Sequence, residues 1–177
     1  MNSIPSMITM CNLICGIISL ILCYNGQFVT AAVFILVAMF WDMADGHVAR
    51  MLKVSSEFGK ELDSLADLVS FGVAPALLVK AILNDPLANS ILIEWLTCFT
   101  CIAFVLCGAY RLARFNILNI HDYYVGIPIT LAGSLIAAVV LIAPQLPGWV
   151  FLILLLTLSG LMVSKLIVPK LTLIRSH

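Results

Sequence analysis

The stretch WDMADGHVARMLKVSSEFGKELDSLADLVSFG, residues 41–72, decides how this chain is read. It holds six of the nine acidic residues, among them the four aspartates Asp42, Asp45, Asp63 and Asp67, and long runs rich in Leu, Ile and Val flank it on both sides. On a helix, Asp42 and Asp45 are separated by about 60° of rotation and ~4.5 Å of rise, so their carboxylates share a face. Asp63 and Asp67, four residues apart, are offset by about 40° and ~6 Å. The connection around residues 53–59 is short enough to make the two helices antiparallel neighbours. All four acids then converge at one depth.

Like charges a few ångströms apart repel, and acids inside membrane spans are costly, so positive charge must sit among them. Hard oxygen ligands in this number suit Mg²⁺ or Mn²⁺. Two ions are expected rather than one, because a single divalent ion leaves two negative charges uncompensated. Gly46, directly after Asp45, and Gly59, ahead of the second helix, each remove a side chain where a ligand can approach the backbone. Ala49 is small, and Arg50 offers a planar fork of donors to a phosphate. Taken singly, each glycine is equally a packing residue and Arg50 a positive-inside anchor.

The wider composition fixes the setting. Of 177 residues, 63% are hydrophobic and only 10% charged, with a mean hydropathy of +1.15, far from the balance of a soluble domain. An all-α integral membrane protein forming one domain over residues 1–177 is expected. It leaves no room for a soluble enzyme domain or a nucleic-acid-binding module. Punctuation by Gly, Pro and polar clusters gives six transmembrane helices near residues 8–24, 28–50, 62–83, 90–113, 124–143 and 149–167. A short interfacial segment is expected before the first, no cleavable signal peptide is evident, and YNGQ, NDPLANS and APQLPG read as turns on one side. Eight of the nine Lys and Arg residues, all except Lys80, fall on the other side. By the positive-inside tendency that side is cytoplasmic, together with both termini and the acidic stretch. The six cysteines lie in apolar runs and read as small hydrophobes, the Cys98/Cys101 pair included.

Residues 42–67, DMADGHVARMLKVSSEFGKELDSLAD, resemble the D-xx-DG-xx-AR-x8-G-xxx-D-xxx-D signature of the CDP-alcohol phosphotransferases. Asp42, Asp45, Gly46, Ala49, Arg50, Gly59, Asp63 and Asp67 fill every fixed position. YRLARFN (110–116), YYVGIP (123–128) and LMVSKLIVPKL (161–171) look like segments of that family's phosphatidylserine synthase branch. The resemblance implies a six-helix homodimer in which the four aspartates hold two divalent cations. It further implies a CDP-lipid site of Asp42, Gly46, Ala49, Arg50 and Gly59, with Pro5, Thr9 and Asn12 closing the cytidine pocket, and Asp67 as general base.

The donor implied is CDP-diacylglycerol or CDP-archaeol, and the acceptor L-serine. The carboxylate of serine needs cations beside so many acids, which Arg111, Arg114 and Lys165 supply, with Asn116 as a further hydrogen-bonding contact. Glycerol 3-phosphate or inositol phosphate would also use basic residues here. A small ion or proton-coupled carrier is the rival of another class.

Overall fold

The computed structural model describes residues 3–52, 56–83, 91–118, 123–164 and 167–169. Helix α1 (Ser3–Tyr24) turns back into α2 (Phe28–Leu52) through Asn25, Gly26 and Gln27. Gly26 takes a left-handed φ of 76°. Its N–H donates to the Cys23 carbonyl at 3.1 Å, and that of Gln27 to the Leu22 carbonyl at 2.9 Å. This pair of bonds satisfies two end carbonyls of α1, which is why YNGQ makes so tight a turn. The two helices then pack closely through the buried Ala31, Ala32 and Ala38, and Ser19 Oγ donates to the Ala31 carbonyl at 2.9 Å.

The next apolar stretch is one helical rod in three parts. Helix α3 (Glu57–Asp67) passes into a π-helical turn (Leu68–Val73) and then into α4 (Ala74–Leu83). Ser56 caps the start of α3, its hydroxyl accepting from the Gly59 N–H at 3.0 Å. The π turn has a local cause. Pro75 has no N–H for the Phe71 carbonyl, and its ring would clash with that oxygen in a regular helix. The turn widens, and the Ala74 N–H reaches the Val69 carbonyl, five residues back.

Neighbouring helices accept the widened turn only where they carry glycine. A Cβ on Gly133 of α6 (Ile129–Ile142) would collide with the Phe71 carbonyl oxygen, and one on Gly16 of α1 with the Ser70 side chain. The rod is therefore clasped by α1 on one side and α6 on another. Helices α5 (Ile91–Leu118) and α7 (Gly148–Val163) pack together and complete the bundle around Phe71, Phe104, Phe151 and Met162.

Among the described residues six apolar helical stretches stand near where the sequence places them; the third starts at Glu57 instead of 62, the fourth runs on to Leu118 instead of 113, and three further differences stand beside these. The first 22 residues of described helix run without a break from Ser3, so the expected interfacial segment is the opening of α1. Proline is tolerated in a first turn because the N–H groups there have no helical partner. The fifth stretch starts at Ile129 instead of 124. Residues Tyr123–Val125 form β1, which pairs antiparallel with β2 (Ile167–Pro169), Tyr124 opposite Val168. Gly126, with φ 78°, turns the chain against the end of α7, where a Cβ would meet the Met162 carbonyl oxygen. The last helix correspondingly stops at Val163, and Ser164 Oγ donates to the Leu161 carbonyl at 2.8 Å.

The outside of the bundle carries exposed Ile, Leu, Phe and Trp side chains, among them Phe99, Leu106, Ile142 and Trp95. Polar side chains such as Asn12, Ser70, Asp67 and Arg111 lie inside. That inversion is the mark of a chain solvated by lipid, and the protein is an all-α integral membrane protein. Ser6–Tyr24, Phe28–Met51, Glu57–Leu83 and Ile91–Ile117 are long and apolar enough to span a bilayer, while Ile129–Ile142 and Gly148–Val163 are apolar but shorter. All six cysteines are free thiols. Cys101 Sγ donates to the Ala76 carbonyl at 3.2 Å, and Lys80 Nζ donates to Cys98 Sγ at 3.4 Å.

The glycine clasp is directly testable. Gly133→Val should destabilise the protein by about 1–3 kcal/mol through overpacking, lowering its melting temperature in detergent. Gly160→Ala, whose Cβ meets nothing within 4 Å, should leave it unchanged. Equal melting temperatures for the two variants would contradict this packing.

Candidate active site

The end of the bundle where α2 finishes and α3 begins gathers the acids. Asp42 from α2 and Asp63 and Asp67 from α3 each place a carboxylate oxygen within 4.8 Å of the other two. Asp45, one helical turn beyond Asp42, is buried at 6% exposure and accepts a hydrogen bond from Thr9 Oγ1 on Oδ2 at 2.8 Å. Its charge bears on Asp42, Asp63 and Asp67 as well. Of the four acids expected to converge, Asp42, Asp63 and Asp67 form one tight group, and Asp45 lies outside it.

Asp67 is 7% exposed and Asn12 fully buried, and Asn12 Nδ2 donates to Asp67 Oδ1 at 3.1 Å. Asp63 Oδ1 is buried without a hydrogen-bond partner among the described residues. An anionic oxygen so placed is expensive unless a cation compensates it. The donor set is all carboxylate oxygen, which suits a hard divalent cation, so the residues present fit such an ion.

The glycines differ in what they do. A Cβ on Gly46 would meet nothing within 4 Å, so no contact within the chain requires glycine there, and space lies open beside Asp45. A Cβ on Gly59 would stand 3.0 Å from Ser56 Oγ, so its small size also serves the cap of α3. Ala49 is half-buried on α2 and Arg50 is exposed.

The basic residues of α5 approach from the same end. Arg111 is 7% exposed, its guanidinium 6.0 Å from the centre of the Phe115 ring. The Arg114 guanidinium lies 6.0 Å from the Tyr110 ring, and Nη1 donates to the Val163 carbonyl at 3.5 Å. Asn116 Nδ2 donates to Ser64 Oγ at 3.0 Å and to Glu61 Oε1 at 3.3 Å, which ties α5 to α3 next to the aspartates. Thr9 and Asn12, expected around a cytidine, turn their side chains to the carboxylates. Pro5 lies in the first turn of α1, but its side chain is outside the described residues, as is Lys165. Sequence reading missed Glu61, Ser64 and Ser70; the one available signal was a small hydroxyl three residues after Asp67 in an otherwise apolar run.

Residues 2–162 match the profile of CDP-alcohol phosphatidyltransferases. The chain belongs to that family. A CDP-diacylglycerol–serine O-phosphatidyltransferase of Bacillus subtilis is 38% identical over 134 residues, 75% of this chain and 72% of its own length. One from Helicobacter pylori is 35% identical over 175 residues, 94% of this chain and 71% of its own. An archaetidylserine synthase of Methanothermobacter thermautotrophicus is 36% identical over 139 residues. That match spans 77% of this chain and 57% of the relative. In this CDP-alcohol phosphatidyltransferase the grouped carboxylates come from two helices, α2 and α3.

Uncompensated carboxylates should weaken the metal-free protein. Asp63→Asn is expected to raise the melting temperature in EDTA, by about 1 kcal/mol or more in stability, and to diminish the rise produced by added Mn²⁺. A lower melting temperature in EDTA would contradict the account of Asp63 as an unpaired charge.

Proposed function

We propose that the protein transfers the phosphatidyl-type group of CDP-diacylglycerol or CDP-archaeol to the hydroxyl of L-serine and releases CMP. The convergence of three carboxylates from two helices beside the open space at Gly46 carries this reading, and the names of its relatives support serine as acceptor. The chain acts as a single membrane domain crossing six times. Its active end and both termini face the cytoplasm, where Arg50, Lys60, Arg111 and Arg114 supply the positive-inside bias. The resemblance to the family supports a homodimer.

Asp42, Asp45, Asp63 and Asp67 would hold two divalent cations, Mg²⁺ or Mn²⁺. When bound, such ions supply positive charge to the pyrophosphate of the donor and to the departing CMP. Gly46 and Ala49 leave room for the nucleotide along α2, with Gly59 at the opposite helix start, and Arg50 offers two parallel donors to a phosphate. Arg111 and Arg114, with Lys165, receive the serine carboxylate in a region otherwise hostile to anions. Asn116, engaged by Ser64 and Glu61, keeps that end of α5 docked beside the acceptor.

Asp67 is the general base. A serine hydroxyl is a very weak acid, so the proton must leave as its oxygen attacks. The oxygen forms a bond to the phosphorus that carries the lipid, the bond from that phosphorus to CMP breaks, and the hydroxyl proton passes to the Asp67 carboxylate. Orientation of the two substrates supplies most of the remaining acceleration.

Purified protein given CDP-lipid, Mn²⁺ and a panel of alcohols should release CMP with L-serine. Release with glycerol 3-phosphate or inositol phosphate and not with serine would move the acceptor, and ion flux in sealed vesicles without any CMP release would favour a carrier. Arg111→Ala should raise the serine KM by about tenfold or more, as loss of a charge-assisted hydrogen bond implies, with little change in the CDP-lipid KM. Asp67→Asn should still bind CDP-lipid and lose turnover; near-normal turnover would remove Asp67 from the base role.

A further inference from the structure

Thr9 and Asn12 are three residues apart, so they sit on one face of α1 about 60° apart. Each donates to an aspartate of a different helix: Thr9 to Asp45 on α2, at 2.8 Å, and Asn12 to Asp67 on α3, at 3.1 Å. Asn12 is itself held from the other side. Ser70 Oγ, in the π turn, donates to the Asn12 backbone carbonyl at 3.1 Å. Ser70 is packed against α1 so closely that Gly16 has no room for a Cβ. The chain from Asp67 into the π turn therefore grips α1 at two points, through an amide and through a hydroxyl.

The orientation of the Asn12 amide follows from chemistry. Turned over, it would present its oxygen to a carboxylate oxygen, two acceptors facing each other. With Nδ2 on Asp67, Oδ1 is buried and has no partner among the described residues, so the donor half alone holds the side chain. An asparagine in this place gives Asp67 Oδ1 a neutral donor, next to the group that Asp67 shares with Asp42 and Asp63. Thr9 likewise gives Asp45 Oδ2 a neutral donor.

From this we propose that α1 is the template of the metal site, Thr9 and Asn12 being positioning residues that fix Asp45 and Asp67 and so set the spacing between the two acid-bearing helices. Ser70 fixes Asn12 in turn. This rests on the two-cation reading above and replaces a cytidine-contacting role for both side chains. Its consequence is that α1 governs metal affinity and turnover rather than nucleotide recognition.

The test is Mn²⁺ titration of the purified full-length protein by electron paramagnetic resonance, without any alcohol present, together with CMP-release kinetics at saturating Mn²⁺. Asn12→Ala should weaken Mn²⁺ binding by about 10- to 100-fold, the usual cost of losing a residue that orients a metal ligand. It should lower kcat while the CDP-lipid KM stays within about twofold, since no substrate contact is lost. Asn12→Asp, which removes the donor and adds a fifth negative charge, should retain the affinity loss despite its nearly unchanged shape.

Thr9→Val and Ser70→Ala change little volume and serve if the Asn12 variants do not fold; both should weaken Mn²⁺ binding in the same direction. Ser70→Ala should add nothing further to Asn12→Ala, because both act through one carboxylate. Unchanged Mn²⁺ affinity in Asn12→Ala, or in Thr9→Val and Ser70→Ala together, would overturn the positioning role while leaving the metal site standing. So would a raised CDP-lipid KM at saturating Mn²⁺ with normal metal affinity. A wild-type protein that takes up no Mn²⁺ would overturn both this proposal and the reading beneath it.

Discussion

Mutual repulsion among Asp42, Asp45, Asp63 and Asp67 is the constraint to which the rest of the molecule answers. Taken from water, each carboxylate is costly alone and costlier beside the others. A fold that nevertheless brings them together must draw the stabilisation from elsewhere. Here it comes from hydrogen bonds donated by α1 to two of the acids, and from close helix packing a few residues below them. The acids are then left with oxygen atoms directed at one another, an arrangement that becomes favourable when divalent cations occupy it.

The rod formed by α3, the π turn and α4 transmits this arrangement into the core. Pro75 forces the wide turn immediately after the second pair of acids, and Gly16 and Gly133 let α1 and α6 close upon it. Rigid packing there keeps Asp63 and Asp67 from moving apart under their own repulsion. Beside Asp45, by contrast, a Cβ on Gly46 would meet nothing within 4 Å.

The acidic pairs and the first turn were legible in the sequence because both depend on local arithmetic. Spacings of three and four put Asp42 with Asp45 and Asp63 with Asp67, and Asn25-Gly26 supplies the one left-handed residue the α1–α2 turn requires. The π turn was not legible, since it depends on Pro75 freeing a carbonyl and on Gly133, far along the chain, making room beside it. The short ladder between β1 and β2 escaped for the same reason, its three-residue strands being too brief to show alternation. Thr9 and Asn12 were singled out by resemblance, yet their partners are 36 and 55 residues away, and only the packing of α1 across both helices shows which groups they meet. Asn116 likewise reads as a ligand contact in sequence and as a tie between α5 and α3 in space.

The central claim is that acids from two helices make one two-cation site. Crystals of the protein grown with Mn²⁺ and CDP, measured at the manganese absorption edge, test it most directly. The account predicts two anomalous peaks among Asp42, Asp45, Asp63 and Asp67, about 3.5–4 Å apart as in other two-metal sites. A single peak, peaks held by other residues, or no manganese within the aspartate group would contradict it.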